Sequence, residues 1–153
     1  MDQDICRVTE PDSRLTAEIG RLLERTGQGP RNAPGGVLFA AFGPEGELTG
    51  ISGGRRIETD ALIRFVAVVE ERRHKGIGSA LLSRVLSCFA DGCETAWVLA
   101  SRGTGEFFTR FGFEPVRSDM LPAHLRESRD LKDLEIAATE IFRLELPKRW
   151  PIL

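Results

Sequence analysis

An apolar run from Leu62 to Val69 gives way to Arg73-His74-Lys75-Gly76-Ile77-Gly78, and a helical pattern from Ser79 to Phe89 follows at once. A strand, a glycine-bearing basic turn and a helix in direct succession form a construction that holds phosphate. The first amides of a helix have no partner inside it, and the aligned peptide dipoles add partial positive charge at that end. Glycine lets the backbone approach a ligand closely. The run itself is rich in β-branched residues and nearly unbroken, the pattern of a central strand buried on both faces.

At 153 residues the chain is long enough for one domain, 1–153, with a proper core. A net charge of -2 argues against bulk nucleic-acid binding. No apolar run approaches the roughly 20 residues that span a bilayer. The acidic start, Met1-Asp2-Gln3-Asp4, lacks the apolar stretch of a signal peptide, so a cytoplasmic protein without membrane contact is expected. Cys6, Cys88 and Cys93 lack metal-ligand spacing; they read as reduced thiols, and no metal is expected. The chain contains no tyrosine.

Along the chain, Ile5–Thr9 reads as a first strand, and Asp12-Ser13 can cap a helix over Leu15–Thr26. Four glycines and two prolines make 27–36 a loop. Val37–Phe42 and Glu47–Ile57 form a hairpin about Gly43-Pro44-Glu45-Gly46. Ala61–Val69 is the buried strand. The next helix places Ile77, Leu81, Val85, Cys88 and Phe89 at helical spacing. Thr95–Ala100 is another buried strand, Gly103–Phe111 a short helix, and 112–116 an extended segment. Leu121–Arg129 reads as a further helical turn, and Phe142, Leu144 and Leu146 alternate with charged residues in a closing strand. An antiparallel meander followed by βα units implies a mixed α/β sheet with helices on both faces.

The glycine turn fits neither common nucleotide motif. GxGxxG is not completed, because Leu81 stands at the third glycine position, and GxxxxGK[ST] is absent. What remains is R-x-x-G-x-G, with Arg73, Gly76 and Gly78 after a strand and opening a helix. This resembles the acetyl-CoA signature of the GCN5-related N-acetyltransferases (GNAT). Phe107-Phe108-Thr109-Arg110-Phe111-Gly112-Phe113 is similar to that family's short helix ending in "GF". The resemblance covers nearly the whole chain. It implies the GNAT fold, a central mixed sheet of six to seven strands that splays between the fourth and fifth.

It also implies acetyl-CoA as cosubstrate. Amides from His74, Lys75, Gly76, Ile77, Gly78 and Ser79 would take the pyrophosphate, with the Ser79 hydroxyl beside them. Arg72, Arg73 and Lys75 add positive charge there or form a solvated rim. Val66-Ala67-Val68 would pair with the pantetheine arm as an added strand does. The partner is then a small-molecule amine, and family habit allows a homodimer.

Transfer requires a neutral amine, a base to take its proton, an oxyanion donor near Val68 and departure of the thiolate. Where many relatives carry a tyrosine acid this chain has Phe108, and where some carry a strand glutamate it has Leu62. Glu70, Glu71 and Glu106 are the candidate bases and Ser101 the candidate acid, with the plainer reading of each a surface carboxylate or a polar strand end; His124 reads as a surface residue. Arg64 interrupts the apolar strand. It needs a carboxylate, either internal or from a ligand. With Arg102 it would favour a carboxylate-bearing acceptor. The strand Leu62-Ile63-Arg64 and the segment after "GF" are similar to arsenic-resistance-type and N-acetylglutamate-synthase-like members, which implies an amino acid or analogue. A non-catalytic acyl-CoA sensor is the other class that the missing tyrosine leaves open.

Overall fold

A computed structural model describes residues 4–26, 36–101, 103, 105–131 and 139–147. It contains seven strands: β1 Asp4–Arg7, β2 Val37–Phe42, β3 Leu48–Ile57, β4 Asp60–Val68, β5 Thr95–Ser101, β6 Glu114–Val116 and β7 Thr139–Glu145. Among the described residues four α-helices accompany them: α1 Ser13–Arg25, α2 Ile77–Phe89, α3 Glu106–Phe111 and α4 Ala123–Arg126. The strands form one sheet in the order β1-β2-β3-β4-β5-β7-β6. β1–β2 and β2–β3 are antiparallel, and β4–β5 is parallel, with Asp60–Ile63 in register with Thr95–Val98. The expected mixed sheet is present, but β7 enters between β5 and β6 and pairs antiparallel with both.

The chain divides into two compact units, Met1–Gly54 with Phe65–Cys88, and Arg55–Arg64 with Phe89–Leu153. In the first, α1 begins where the Asp12 carboxylate accepts the Leu15 amide at 2.8 Å, the cap read from the sequence. Its Leu22 and Leu23 pack with Ala40, Leu48, Ile51, Phe65 and Ala67. The hydroxyls of Thr49 and Ser52 are buried in this unit, and each donates to a backbone carbonyl at 3.0 Å, of Ala41 and Phe65 respectively.

Helix α2 buries Ile77, Leu81, Leu82, Val85, Leu86 and Phe89. Cys88, expected on that face, is exposed instead; the buried stripe follows the spacing of Leu82 and Leu86, which turns position 88 outward. The helix starts close to β3 because Gly50 has no side chain. A Cβ there would lie 3.0 Å from Leu81 Cδ1, 3.2 Å from the Ala67 carbonyl and 3.3 Å from Ile77 Cγ2. Gly50→Val is therefore expected to overpack this contact at a cost of about 1–3 kcal/mol. Thermal melts would show a fall of several degrees, and an unchanged melt would mean that α2 has room to move.

In the second unit, Leu62, Trp97, Leu121, Leu125, Leu131 and Ile141 form the core. The "GF" sequence is a helix terminator here. Gly112 has φ 128°, its amide bonds the Thr109 carbonyl at 3.2 Å, and the Phe113 amide bonds the Phe108 carbonyl at 2.9 Å. The Phe113 and Phe108 rings meet edge to face at 5.7 Å. That is the Schellman closure with its hydrophobic contact.

Candidate acetyl-CoA and acceptor sites

The first site lies within the first unit, where β4 ends. After Val69 a 3₁₀ turn, Glu70–Arg72, leads into the basic turn. His74 at φ 65° and Gly76 at φ 82° bend the backbone through left-handed conformations just before α2. The Gly76 carbonyl accepts the Ala80 amide at 3.0 Å. The preceding helical amides, Ile77, Gly78 and Ser79, then lack the i−4 carbonyl that an interior turn would supply. Residues Arg73, His74, Lys75, Gly76 and Ser79 are exposed, Gly78 is half-buried, and Ile77 is the buried anchor. A Cβ at Gly76 would meet nothing within 4 Å, so the turn faces open space.

The basic residues do different work from one another. Arg73 Nε donates to the Val68 carbonyl at 3.1 Å, which ties the turn back to the strand end. Arg72 pairs with Glu47 at 3.0 Å. On β4, Ala67 is buried, whereas Val66 and Val68 are half-buried on the opposite face. Glu70 is exposed, and its carbonyl accepts the Arg73 amide.

The second cluster lies within the other unit. Arg64 has an internal carboxylate partner: its Nε stands 3.8 Å from Asp130 Oδ2, and Arg55 Nε stands 3.4 Å from the same oxygen. The Asp130 side chain is 2% exposed and that of Arg64 10%. Of the two partners the sequence left open for Arg64, the internal one is present. Arg102 lies outside the described residues. Ser101 is exposed at the end of β5, opposite Thr139. Phe108 is buried against Phe113 and Phe142, so the position of the family's tyrosine belongs to the core. Glu106 pairs with Arg110 one turn on, at the surface.

His124, expected at the surface, is half-buried. Its Nε2 lies 2.6 Å from Asp60 Oδ2, and Asp60 Oδ1 accepts the Trp97 indole N–H at 3.1 Å. Nearby, burial pushes the Cys93 thiol up; the Arg56 guanidinium opposes that shift and the Asp60 carboxylate adds to it. Sequence reasoning missed Asp60 and Asp130. For Asp130 the signal was indirect: an arginine on a buried strand requires a carboxylate, but 23 acidic residues compete for the role; Asp60 is met by His124 and Trp97, which no spacing in the sequence announces.

The sequence profile of the family described as "Acetyltransferase (GNAT) domain" matches residues 34–115, more than half of the chain. The protein belongs to this family of acetyltransferases. Solved structures agree on the fold. N-acetylglutamate synthase from Neisseria gonorrhoeae, complexed with coenzyme A and N-acetyl-glutamate, superposes with a TM-score of 0.74 at 20% identity over 95% of this chain. The chain spans 35% of that synthase's length. Tetrahymena GCN5 gives a TM-score of 0.75 at 14% identity, covering 95% of this chain and 97% of its own. An aminoglycoside 6'-N-acetyltransferase complexed with coenzyme A gives 0.70 at 16%, covering 97% and 99%. No curated protein sequence matches significantly. Among the described residues, no helix is long and apolar enough to cross a membrane.

Proposed function

We propose that the chain is one acetyltransferase domain that moves the acetyl group of acetyl-CoA onto the amine of a small cytoplasmic molecule, an amino acid or close analogue. The observation that carries the donor half is the turn: successive unpaired amides at the start of α2, an exposed basic rim and an open face at Gly76. Coenzyme A in the neighbouring synthase and aminoglycoside enzyme supports the same donor. The pyrophosphate takes the amides of His74 through Ser79, and the pantetheine arm runs along Val66–Val68.

In the reaction, the amine nitrogen attacks the thioester carbonyl, and the oxygen of the tetrahedral intermediate takes an N–H bond near Val68. Glu70, through water, receives the amine proton. The C–S bond breaks, and the departing sulfur takes a proton from water. A thiol has a pKa of only about 8.5, so departure without an acid is tolerable. The burial of Phe108 in an aromatic cluster favours that unassisted route, and it is also what a non-catalytic acyl-CoA sensor would show. A thiol-release screen over amino acids, their decarboxylated amines and aminoglycosides separates these readings. Turnover with carboxylate-bearing acceptors is expected; coenzyme A binding without release on any acceptor would favour the sensor.

The acceptor half rests on Arg64. Arg64→Ala is expected to raise KM for a carboxylate acceptor about 10- to 100-fold, the loss of one charge-assisted contact of about 1.5–3 kcal/mol. Acetyl-CoA affinity should stay within about threefold. Asp130 keeps Arg55 as a counter-charge, so the variant should fold. Unfolding would mark Arg64 as structural.

A further inference from the structure

Within the first unit, one peptide group at the end of β4 is held at both of its polar ends. Its N–H, on Val69, donates to the Thr49 carbonyl of β3 at 2.9 Å. Its carbonyl, on Val68, accepts Arg73 Nε at 3.1 Å. A peptide group is planar, so two such bonds fix the orientation of the whole group. The first restraint is anchored in the sheet: Thr49 is buried, and its hydroxyl donates to the Ala41 carbonyl beside the register shift of β2. The second comes from one side chain. It reaches five residues back because the 3₁₀ turn closes on itself, with the Arg73 amide bonded to the Glu70 carbonyl at 3.3 Å.

Along extended backbone, successive N–H groups point to opposite edges, and the N–H and C=O of one residue point to the same edge. Val69 donates toward β3. The N–H and carbonyl of Val68 therefore face the other edge, where Arg73 takes the carbonyl. The N–H beside it is the oxyanion donor proposed above. Only the two backbone dihedrals of Val68 separate that N–H from the clamped group. A misplacement of about 1 Å can cost on the order of 100-fold in rate, so a bond that fixes the neighbouring peptide bears on the chemistry. The chemistry of the side chain points the same way. A phosphate can be met by a point charge, which lysine also supplies. Of the two long cations, only arginine carries a donor partway along its side chain, aimed by a planar group.

We infer that Arg73 is a positioning residue for acetyl transfer: by holding the Val68 carbonyl it aims the Val68 N–H at the thioester oxygen. This rests on the donor site proposed above. The effect of Arg73 passes through the Val68 peptide and not through contact with the acetyl group.

Two variants separate the donor from the charge. Arg73→Lys keeps the charge and puts a methylene where Nε stood. Arg73→Gln gives up the charge and places an amide N–H at the Nε position, because its Nε2 is the same number of bonds from Cα. Each is compared with wild type by calorimetric titration of acetyl-CoA, by the Val68 amide proton shift of isotope-labelled protein saturated with acetyl-CoA or with coenzyme A, and by kcat and KM on the best acceptor of the thiol-release screen. In wild type the Val68 proton should shift with acetyl-CoA and not with coenzyme A. Arg73→Lys should bind acetyl-CoA within about threefold of wild type, lose that difference at Val68 and lower kcat about tenfold with KM little changed. Arg73→Gln should keep the difference at Val68 and hold kcat within about threefold. If no acceptor turns over, the Val68 shift decides alone. Loss in both variants alike, or a wild-type difference that survives both, would overturn this inference and leave the donor site standing. A competent lysine variant beside a glutamine variant weakened toward acetyl-CoA and coenzyme A equally would make Arg73 a phosphate contact instead. Unfolding of Arg73→Lys in a thermal melt would mark the bond as structural and overturn the positioning role. A wild-type Val68 that does not distinguish the two ligands would remove the thioester from this strand end, and the donor reading would fall together with the inference.

Discussion

Gly76→Arg is expected to weaken acetyl-CoA binding at least 100-fold while leaving the protein folded. Two costs are involved, and they act on different equilibria. Gly76 sits at φ 82°, where any L-residue is strained by about 1–3 kcal/mol. That burden falls on folding, and a typical stability of about 5–15 kcal/mol can absorb it. The first atom of the new side chain meets no protein atom, since a Cβ at this position has nothing within 4 Å. It projects into the open face where the pyrophosphate is proposed to sit. Displacing that group forfeits several charge-assisted bonds to backbone amides, each worth about 1.5–3 kcal/mol. The added guanidinium could attract phosphate in return, but an exposed pairing contributes only about 0–1 kcal/mol. The lost bonds dominate, and two of them already exceed the 2.8 kcal/mol or so that a 100-fold change represents. Gly76→Ala is the control, with the same backbone strain and little bulk. It should bind acetyl-CoA within about tenfold of wild type. Calorimetric titration with acetyl-CoA and a thermal melt of both variants decide the matter. Retained affinity in the arginine variant would remove the phosphate-turn assignment.

How much of this site can be read without coordinates depends on how local its physics is. The turn is local: strand, glycines and helix are contiguous, and the left-handed Gly76 follows from a sequence pattern with few other uses. The "GF" pair is local too, since one glycine amide and one phenylalanine amide close α3 on themselves. Arg73 shows where locality stops short. Its charge suggests a phosphate contact, and its Nε also holds the carbonyl of Val68 five residues back, a contact set by the path of the 3₁₀ turn. The long-range features were out of reach for a different reason. β7 between β5 and β6 is a choice of strand partner, and alternation in Phe142, Leu144 and Leu146 says only that a strand exists. Arg64 announced its need for a carboxylate, but Asp130 lies 66 positions on, in a stretch whose course is fixed by Leu121, Leu125 and Leu131 docking on β4, β5 and β7. Tertiary packing chose the partner, and no spacing in the sequence encodes it.

That docking leads to a large expected stability effect at Leu125. The side chain is 0% exposed and packs within the cluster formed by Leu62, Trp97, Leu121, Leu131 and Ile141. Leu125→Ala removes three buried carbons, and such changes cost about 2–5 kcal/mol, the spread reflecting how far the site can collapse. Here collapse is restrained. Leu62, Trp97 and Ile141 belong to paired strands β4, β5 and β7, and the indole of Trp97 is tethered to Asp60. The neighbours on the other side, Leu121 and Leu131, lie in a stretch tied through His124–Asp60 and Asp130–Arg64. A cavity should therefore remain, and the upper half of the range, about 4 kcal/mol, is expected. At about 2–4 °C per kcal/mol for a chain of this size, the melting midpoint should fall by roughly 10 °C. Leu125→Met, which keeps the volume, should cost under about 1.5 kcal/mol. A fall of less than about 3 °C for the alanine variant would mean that the stretch relaxes into the gap and that the cavity closes.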